Sequence, residues 1–257
     1  MLKEILYQQY LIESPKIEQS EALIKAQSAN GIYGANYKIT MIISMFIQAF
    51  RYASEPFFFK DQSNKNSKET LAKIMNYFVI ILVFIFLIIT LYLHLFKYFI
   101  PNQAYWEGLK VVPVLLAANI CLGLYTSISM WYKLAEKTIY GAIISFLGVI
   151  ITISVNFIFI PKFGYVASAY ATLLCYGSMM VIGYLLGQLF YPIPYKLWKI
   201  FIYMICGAVL YYISIDFKIE DGHNLYNYAY HTLLIVLYLI VVFILEKPIF
   251  NKLNLKR

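Results

Sequence analysis

Ser44, Gln48, Arg51 and Glu55 lie four, three and four residues apart within "SMFIQAFRYASEPFFF", an otherwise apolar run. On a helix this spacing holds all four within roughly 60° of one another, so they form one polar stripe. Tyr37 extends the stripe toward the N-terminal end, and the opposite face carries Ile39, Ile42, Phe46, Phe50 and Ala53. A guanidinium grips phosphate or carboxylate through a two-pronged fork, and a carboxylate one turn away can position it. The four residues are therefore read as substrate-binding candidates. No catalytic constellation accompanies them.

The elements that position this stripe are membrane spans. Hydrophobic residues make up 61% of the 257 and charged residues 13%, against about 45–50% and about 25% in soluble domains. The apolar residues fall in runs near the roughly 20 needed to cross a bilayer as a helix. Seven spans are predicted, at 35–59, 74–96, 111–132, 138–160, 166–190, 197–215 and 230–246. The fold class is all-α, a polytopic transmembrane bundle.

The net charge of +8 reflects loop lysines and not a nucleic-acid surface, since no basic stripe interleaved with stacking aromatics lies outside the spans. The segments 60–73, 133–137, 191–199 and 247–257 carry twelve Lys or Arg, and the segments 1–34, 97–110, 161–165 and 216–229 carry seven. Positive charge marks the cytoplasmic side, which places the C-terminus inside and residues 1–34 outside. Tyr105, Trp106, Trp131, Tyr132, Tyr195 and Trp198 gather at predicted boundaries, as interfacial aromatics do.

Cys121, Cys175 and Cys206 each sit in an apolar run and are expected to be small buried hydrophobes. His94, His223 and His231 show no metal-ligand spacing, so neither a metal nor a cofactor is expected. The first dozen residues lack the basic start and apolar core of a cleavable signal. Leu2, Ile5, Leu6 and Ile12 share a helical face too short to span. This face either rests at the interface or is the stub of a preceding span, the second being favoured.

Each ionised group at mid-membrane costs about 2.5–3.5 kcal/mol. An Arg-before-Glu pair at i,i+4 returns only about 0.2–0.5 kcal/mol. The local pair cannot account for the stripe, and a water-filled cavity or a buried partner must supply the rest. Two other readings stay open. Arg51 could snorkel to headgroups, being about 12 Å from Phe59, or it could bridge helices. Pro56 is consistent with a bend or helix end beyond Glu55.

Gly141, Ser145, Gly148, Thr152 and Asn156 give the fourth span a small, polar face suited first to close packing and second to lining a cavity. Gly183 and Gly187 form a GxxxG in the fifth, again a packing signal. Pro113 either kinks the third span or sits in its first turn. The second span is oily all round and is expected to face lipid.

"GIYGANYKITMIISMFIQAFRYASEPFFF" (31–59) and "NFIFIPKFGYVASAYATLLCY" (156–176) carry a resemblance to bacterial polysaccharide-export flippases of the multidrug/oligosaccharidyl-lipid/polysaccharide superfamily. Gly31, Gly34, Arg51, Glu55, Pro56, Asn156, Pro161, Gly164 and Thr172 carry the match, which covers about residues 25–245. Members usually have twelve to fourteen helices in two lobes around a central cavity. The resemblance implies that this chain is one lobe of a two-lobe transporter, the C-terminal half. Residues 1–34 would be a periplasmic connection and 35–257 the transmembrane lobe with a short cytoplasmic tail. It further implies export of undecaprenyl-diphosphate-linked oligosaccharide, such as an O-antigen repeat unit of lipopolysaccharide, across the cell inner membrane by alternating access. The implied partners are that substrate, membrane lipids and the missing N-terminal lobe. Arg51 would draw the diphosphate or acidic sugars into the cavity.

Three rivals remain. A cation-coupled drug antiporter of the same superfamily would want an unpaired intramembrane carboxylate, whereas Glu55 has Arg51 beside it. A seven-helix receptor fits the count, but the outer loops hold no cysteine and the last span no lysine for a Schiff base. A membrane glycosyltransferase or polymerase would need a larger outer segment than 216–229, which holds Glu220, Asp221 and His223. A transporter and not an enzyme is the expectation.

Overall fold

The computed structural model describes residues 1–13, 18–61, 64, 66–216 and 225–254. Among these, all regular structure is helical. The main elements are α1 (Leu2–Glu13), α2 (Gln19–Asp61), α3 (Ser67–Leu91), α4 (Leu93–Phe96), α5 (Val112–Ile128), α6 (Met130–Leu134), α7 (Ile139–Phe163), α8 (Tyr165–Phe190), α9 (Leu197–Asp216) and α10 (Leu225–Asn254). A 3₁₀ stretch, Gln103–Val111, leads directly into α5. Among the described residues, six helical stretches are long and apolar enough to cross a membrane: Ser67–Leu91, Gln103–Leu134, Ile139–Phe163, Tyr165–Phe190, Leu197–Ile215 and Leu225–Lys247. These match six of the seven predicted spans to within a few residues at most ends, with larger overruns at the starts of α3, α10 and the stretch preceding α5. The protein is an all-α membrane bundle.

The seventh predicted span, 35–59, is not among those six. It lies inside α2, whose 43 residues run unbroken through Pro56 for about 65 Å. Asn36, Lys38, Gln48, Arg51 and Glu55 dilute its hydropathy. Position 34–35, the expected boundary of an N-terminal connection, is interior to this helix. The acids and histidine of the 216–229 loop, Glu220, Asp221 and His223, lie outside the described residues, as does Lys65.

The chain forms two compact units that interleave in sequence. The first comprises Met1–Ser67 and Lys97–Ile193. In it α5, α7 and α8 pack together, and α2 packs along α5. Gly164 terminates α7 at φ 60°, ψ −145°, a conformation essentially restricted to glycine. It lets the chain reverse straight into α8. The small face of the fourth span is a packing face, as expected. Gly148 leaves room for Met179 and Cys175 of α8, and buried Asn156 accepts from Ser168 Oγ at 3.0 Å. The GxxxG glycines do similar work against α5 and α6. Trp131 lies over Gly187, and its Nε1 donates to Gly183 O at 3.0 Å. Pro113 sits in the first turn of α5. Helix α1 docks on protein through Leu2 and Leu6, in a cluster with Val111, Leu115, Ile160 and Tyr165, while Ile12 is exposed.

The second unit comprises Lys68–Phe96 and Pro194–Arg257. Here the expectation that the second span faces lipid is corrected, since 67% of the apolar window of α3 is buried. Val83 fills the space above Gly207 of α9. Phe86 meets Tyr211 edge-on, and Tyr238 of α10 donates to Ile80 O at 3.0 Å. A helix apolar on every side is as well suited to a protein interior as to lipid.

Candidate functional sites

Helix α2 presents Asn36, Ile39, Thr40, Ile43 and Ile47 as its buried face, and a ladder of polar contacts fixes its register on the stretch from Gln103 to Leu134. At one end, fully buried Asn36 donates from Nδ2 to Tyr105 O at 2.7 Å and to Ile32 O at 2.8 Å. Gly108 permits this approach, because a Cβ there would come within 2.2 Å of Asn36 Nδ2. At mid-length, Ser44 Oγ donates to Asn119 Oδ1 at 2.7 Å, and Asn119 Nδ2 donates to Leu115 O at 2.8 Å. At the far end, Lys133 forms an ion pair and hydrogen bond with Glu55. Partners 36, 44 and 55 thus meet 105, 119 and 133 in the same order. The two helical stretches run parallel.

This geometry revises the polar stripe. Glu55 pairs with Lys133 across helices and not with Arg51 along its own helix. Arg51 is half-buried, with its guanidinium 5.2 Å from the Tyr52 ring centroid. Among the described residues no carboxylate pairs with it. Ser44 is half-buried and engaged with Asn119, whereas Gln48 is exposed. The unbroken α2 keeps Ser44, Gln48, Arg51 and Glu55 along one side, and two of the four make interhelical contacts. Asn119 and Lys133 were missed as members of this cluster. Asn119 is one polar residue in the apolar run "VLLAANICLG", and Lys133 carries only a loop-charge signal.

A second polar site, which no sequence signal singled out, lies in the second unit. Glu246 is buried at 1% side-chain exposure and Lys199 at 7%, and they pair at 2.6 Å. The same carboxylate oxygen, Oε1, accepts from Tyr203 Oη at 2.7 Å and from Asn76 Nδ2 at 2.9 Å. Lys199 Nζ also donates to Leu245 O at 2.9 Å. Three donors converge on one oxygen, while Glu246 Oε2 and Asn76 Oδ1 are buried without a hydrogen-bond partner among the described residues. The group borders a cavity of about 310 Å³ lined by Glu69, Ala72, Lys73, Asn76, Tyr77, Pro194, Lys196, Lys199 and Glu246. Buried Asn76, Lys199 and Glu246 form its floor, and exposed Glu69, Lys73, Tyr77 and Lys196 its rim.

Among the described residues there is no group of three or more His, Cys, Asp or Glu able to hold a metal ion. No protein-family profile matches the sequence, and no curated protein or solved structure matches it.

Proposed function

We propose that this chain is one lobe of a bacterial inner-membrane flippase that exports lipid-linked oligosaccharide by alternating access, and that Arg51 engages the anionic diphosphate or sugar. One observation carries the reading. Glu55 is neutralised by Lys133, which leaves Arg51 as a cation without a carboxylate among the described residues, on a helix that tracks a membrane-spanning stretch. Such a charge is costly in the bilayer and is offset when an anion arrives. A drug antiporter reading is disfavoured by the same pairing, because Glu55 is held by an ammonium and is not free to exchange a cation.

The proposal needs α2 to cross the bilayer despite its polar content, and chain order supports this. If α3 crosses once, residues 61 and 103 lie on opposite sides. Residue 36 sits level with residue 105, so 36 and 61 must then be on opposite sides too. From Asn36 to Glu55 the helix rises about 28 Å, close to the roughly 30 Å hydrocarbon thickness. In a background with the three native cysteines replaced, Gln103→Cys is expected to react with an impermeant thiol reagent on intact cells. Lys60→Cys should react only after permeabilisation. Labelling of both from one side would remove α2 from the membrane, and the proposal with it.

The function is tested in a strain lacking its own polysaccharide flippase. This chain co-expressed with an N-terminal lobe is expected to restore surface polysaccharide, and either half alone is not. Accumulation of lipid-linked repeat units inside cells that contain both halves in the membrane would refute the reading.

A further inference from the structure

The floor of the cavity in the second unit lacks a hydrogen-bond donor. Glu246 Oε2 and Asn76 Oδ1 are both acceptors, both buried and both unpartnered among the described residues. Leaving such atoms dry costs free energy that one incoming donor would recover. Within the network Lys199, Tyr203 and the Asn76 amide all direct their hydrogen bond to the carboxylate at Oε1, and none is placed on Oε2 or on Asn76 Oδ1. Turning the Asn76 amide around would set its oxygen against the carboxylate and lose a bond.

The rim has the opposite character. Lys73 and Lys196 are exposed, and Glu69 lies 3.9 Å from Lys73, a loose i,i+4 pair. The lining as a whole holds three lysines against two glutamates. A bare metal cation fits this poorly. It would find two free side-chain oxygens on the floor, where a hard cation takes six or more ligands. An anion alone would satisfy the rim and leave the floor unpaired. A zwitterion meets both demands, with an ammonium on the floor and a phosphate at the rim.

The position identifies the source. The cavity lies where α3 and α9 begin and the apolar stretch of α10 ends at Lys247. Lys73, Tyr77, Lys196, Trp198 and Lys247 are residue types that gather at headgroup level.

We infer that this cavity binds a phospholipid whose headgroup joins a phosphate to a primary ammonium. The ammonium donates to Glu246 Oε2 and Asn76 Oδ1, and Lys73 and Lys196 take the phosphate. This inference stands apart from the flippase reading, since it uses none of the α2 residues.

The test uses the full chain, purified in detergent, stripped of lipid and followed by native mass spectrometry. Phosphatidylethanolamine is expected to be retained at least tenfold better than phosphatidylcholine, which keeps the phosphate but has no N–H, and than phosphatidylglycerol, which has no ammonium. Lys196→Ala, a change at an exposed position, should weaken that retention severalfold while leaving the unfolding midpoint unchanged. Equal retention of the ethanolamine and choline lipids would overturn the inference, since the buried acceptors would then play no part. Preference for phosphatidylglycerol would overturn it in favour of a plain anion site. Binding of water-soluble phosphoethanolamine as tight as that of the lipid would overturn the assignment to a membrane lipid.

Discussion

Replacing Arg51 by alanine is expected to cut export roughly thirtyfold or more while leaving protein abundance in the membrane near normal. The magnitude follows from the cost of truncating one partner of a desolvated charge contact, about 2–5 kcal/mol, with about 1.4 kcal/mol for each factor of ten. Abundance should hold because the guanidinium has no carboxylate among the described residues to leave stranded, and its nearest cation–π partner, Tyr52, is itself exposed. Arg51→Lys should keep part of the activity, since the charge survives and the fork that fits a diphosphate does not. Glu55 now predicts differently from a residue that orients Arg51. Its partner is Lys133, so Glu55→Gln and Lys133→Met should each lower export by no more than about fivefold, the range of a partly exposed pair. The double variant should be no worse than either single one. Surface polysaccharide, measured in cells carrying both lobes and normalised to membrane protein, reads all five variants. Normal export by Arg51→Ala, or a defect explained wholly by lost protein, would assign Arg51 to snorkelling or helix bridging.

Which features could be read from the sequence follows from how far apart the interacting residues lie. The six apolar spans are local properties of composition and length, and their ends were legible to within a few residues except where helices α3 and α10 start early and a 3₁₀ stretch precedes α5. The packing roles of Gly148, Asn156, Gly183 and Gly187 were also legible, because helical spacing places small residues on one face whatever the partner is. The partners themselves were not. Glu55 meets Lys133 across 78 residues, and Asn76 meets Glu246 across 170. The i,i+4 spacing of Arg51 and Glu55 suggested a local pair, but that order is the weaker one on a helix, and the interhelical ammonium prevails. Lys133, Lys199 and Lys196 all read as topology charges near span ends. Only tertiary placement separates Lys199, buried against a carboxylate, from Lys196, exposed at the rim.

The ambiguity of α3 has a different origin. "NYFVIILVFIFLIITLYLHLF" is apolar on every side, and lipid and protein interior are equally acceptable surroundings for such a helix. What separates them is the neighbours. Gly207 makes room for Val83, and Tyr238 needs the Ile80 carbonyl as an acceptor, but neither relation is visible in the helix's own sequence. Helix α2 shows the converse. Its polar residues lower its hydropathy below that of the six apolar spans, while Asn36, Ser44 and Glu55 find their partners on the stretch it runs beside.

The largest stability effect is expected at Lys199. Lys199→Met removes the ammonium from a pair whose members are 7% and 1% exposed, leaving Glu246 as a buried carboxylate with only Asn76 and Tyr203 to donate. Breaking a buried pair in this way costs about 3–5 kcal/mol. Removing both charges costs less, because the desolvation penalty disappears along with the attraction. Lys199→Met/Glu246→Leu should therefore be more stable than Lys199→Met alone, although Tyr203 and Asn76 then lose their acceptor and keep the double variant below the parent. Glu246→Gln should fall between them, since a neutral amide oxygen still accepts from Tyr203 and Asn76. Unfolding midpoints in detergent, followed by circular dichroism at one protein and lipid concentration, give the ranking. A Lys199→Met variant as stable as the parent would show that the ammonium does not sustain the Glu246 charge, and the polar floor of the second unit would then owe its form to Tyr203 and Asn76 alone.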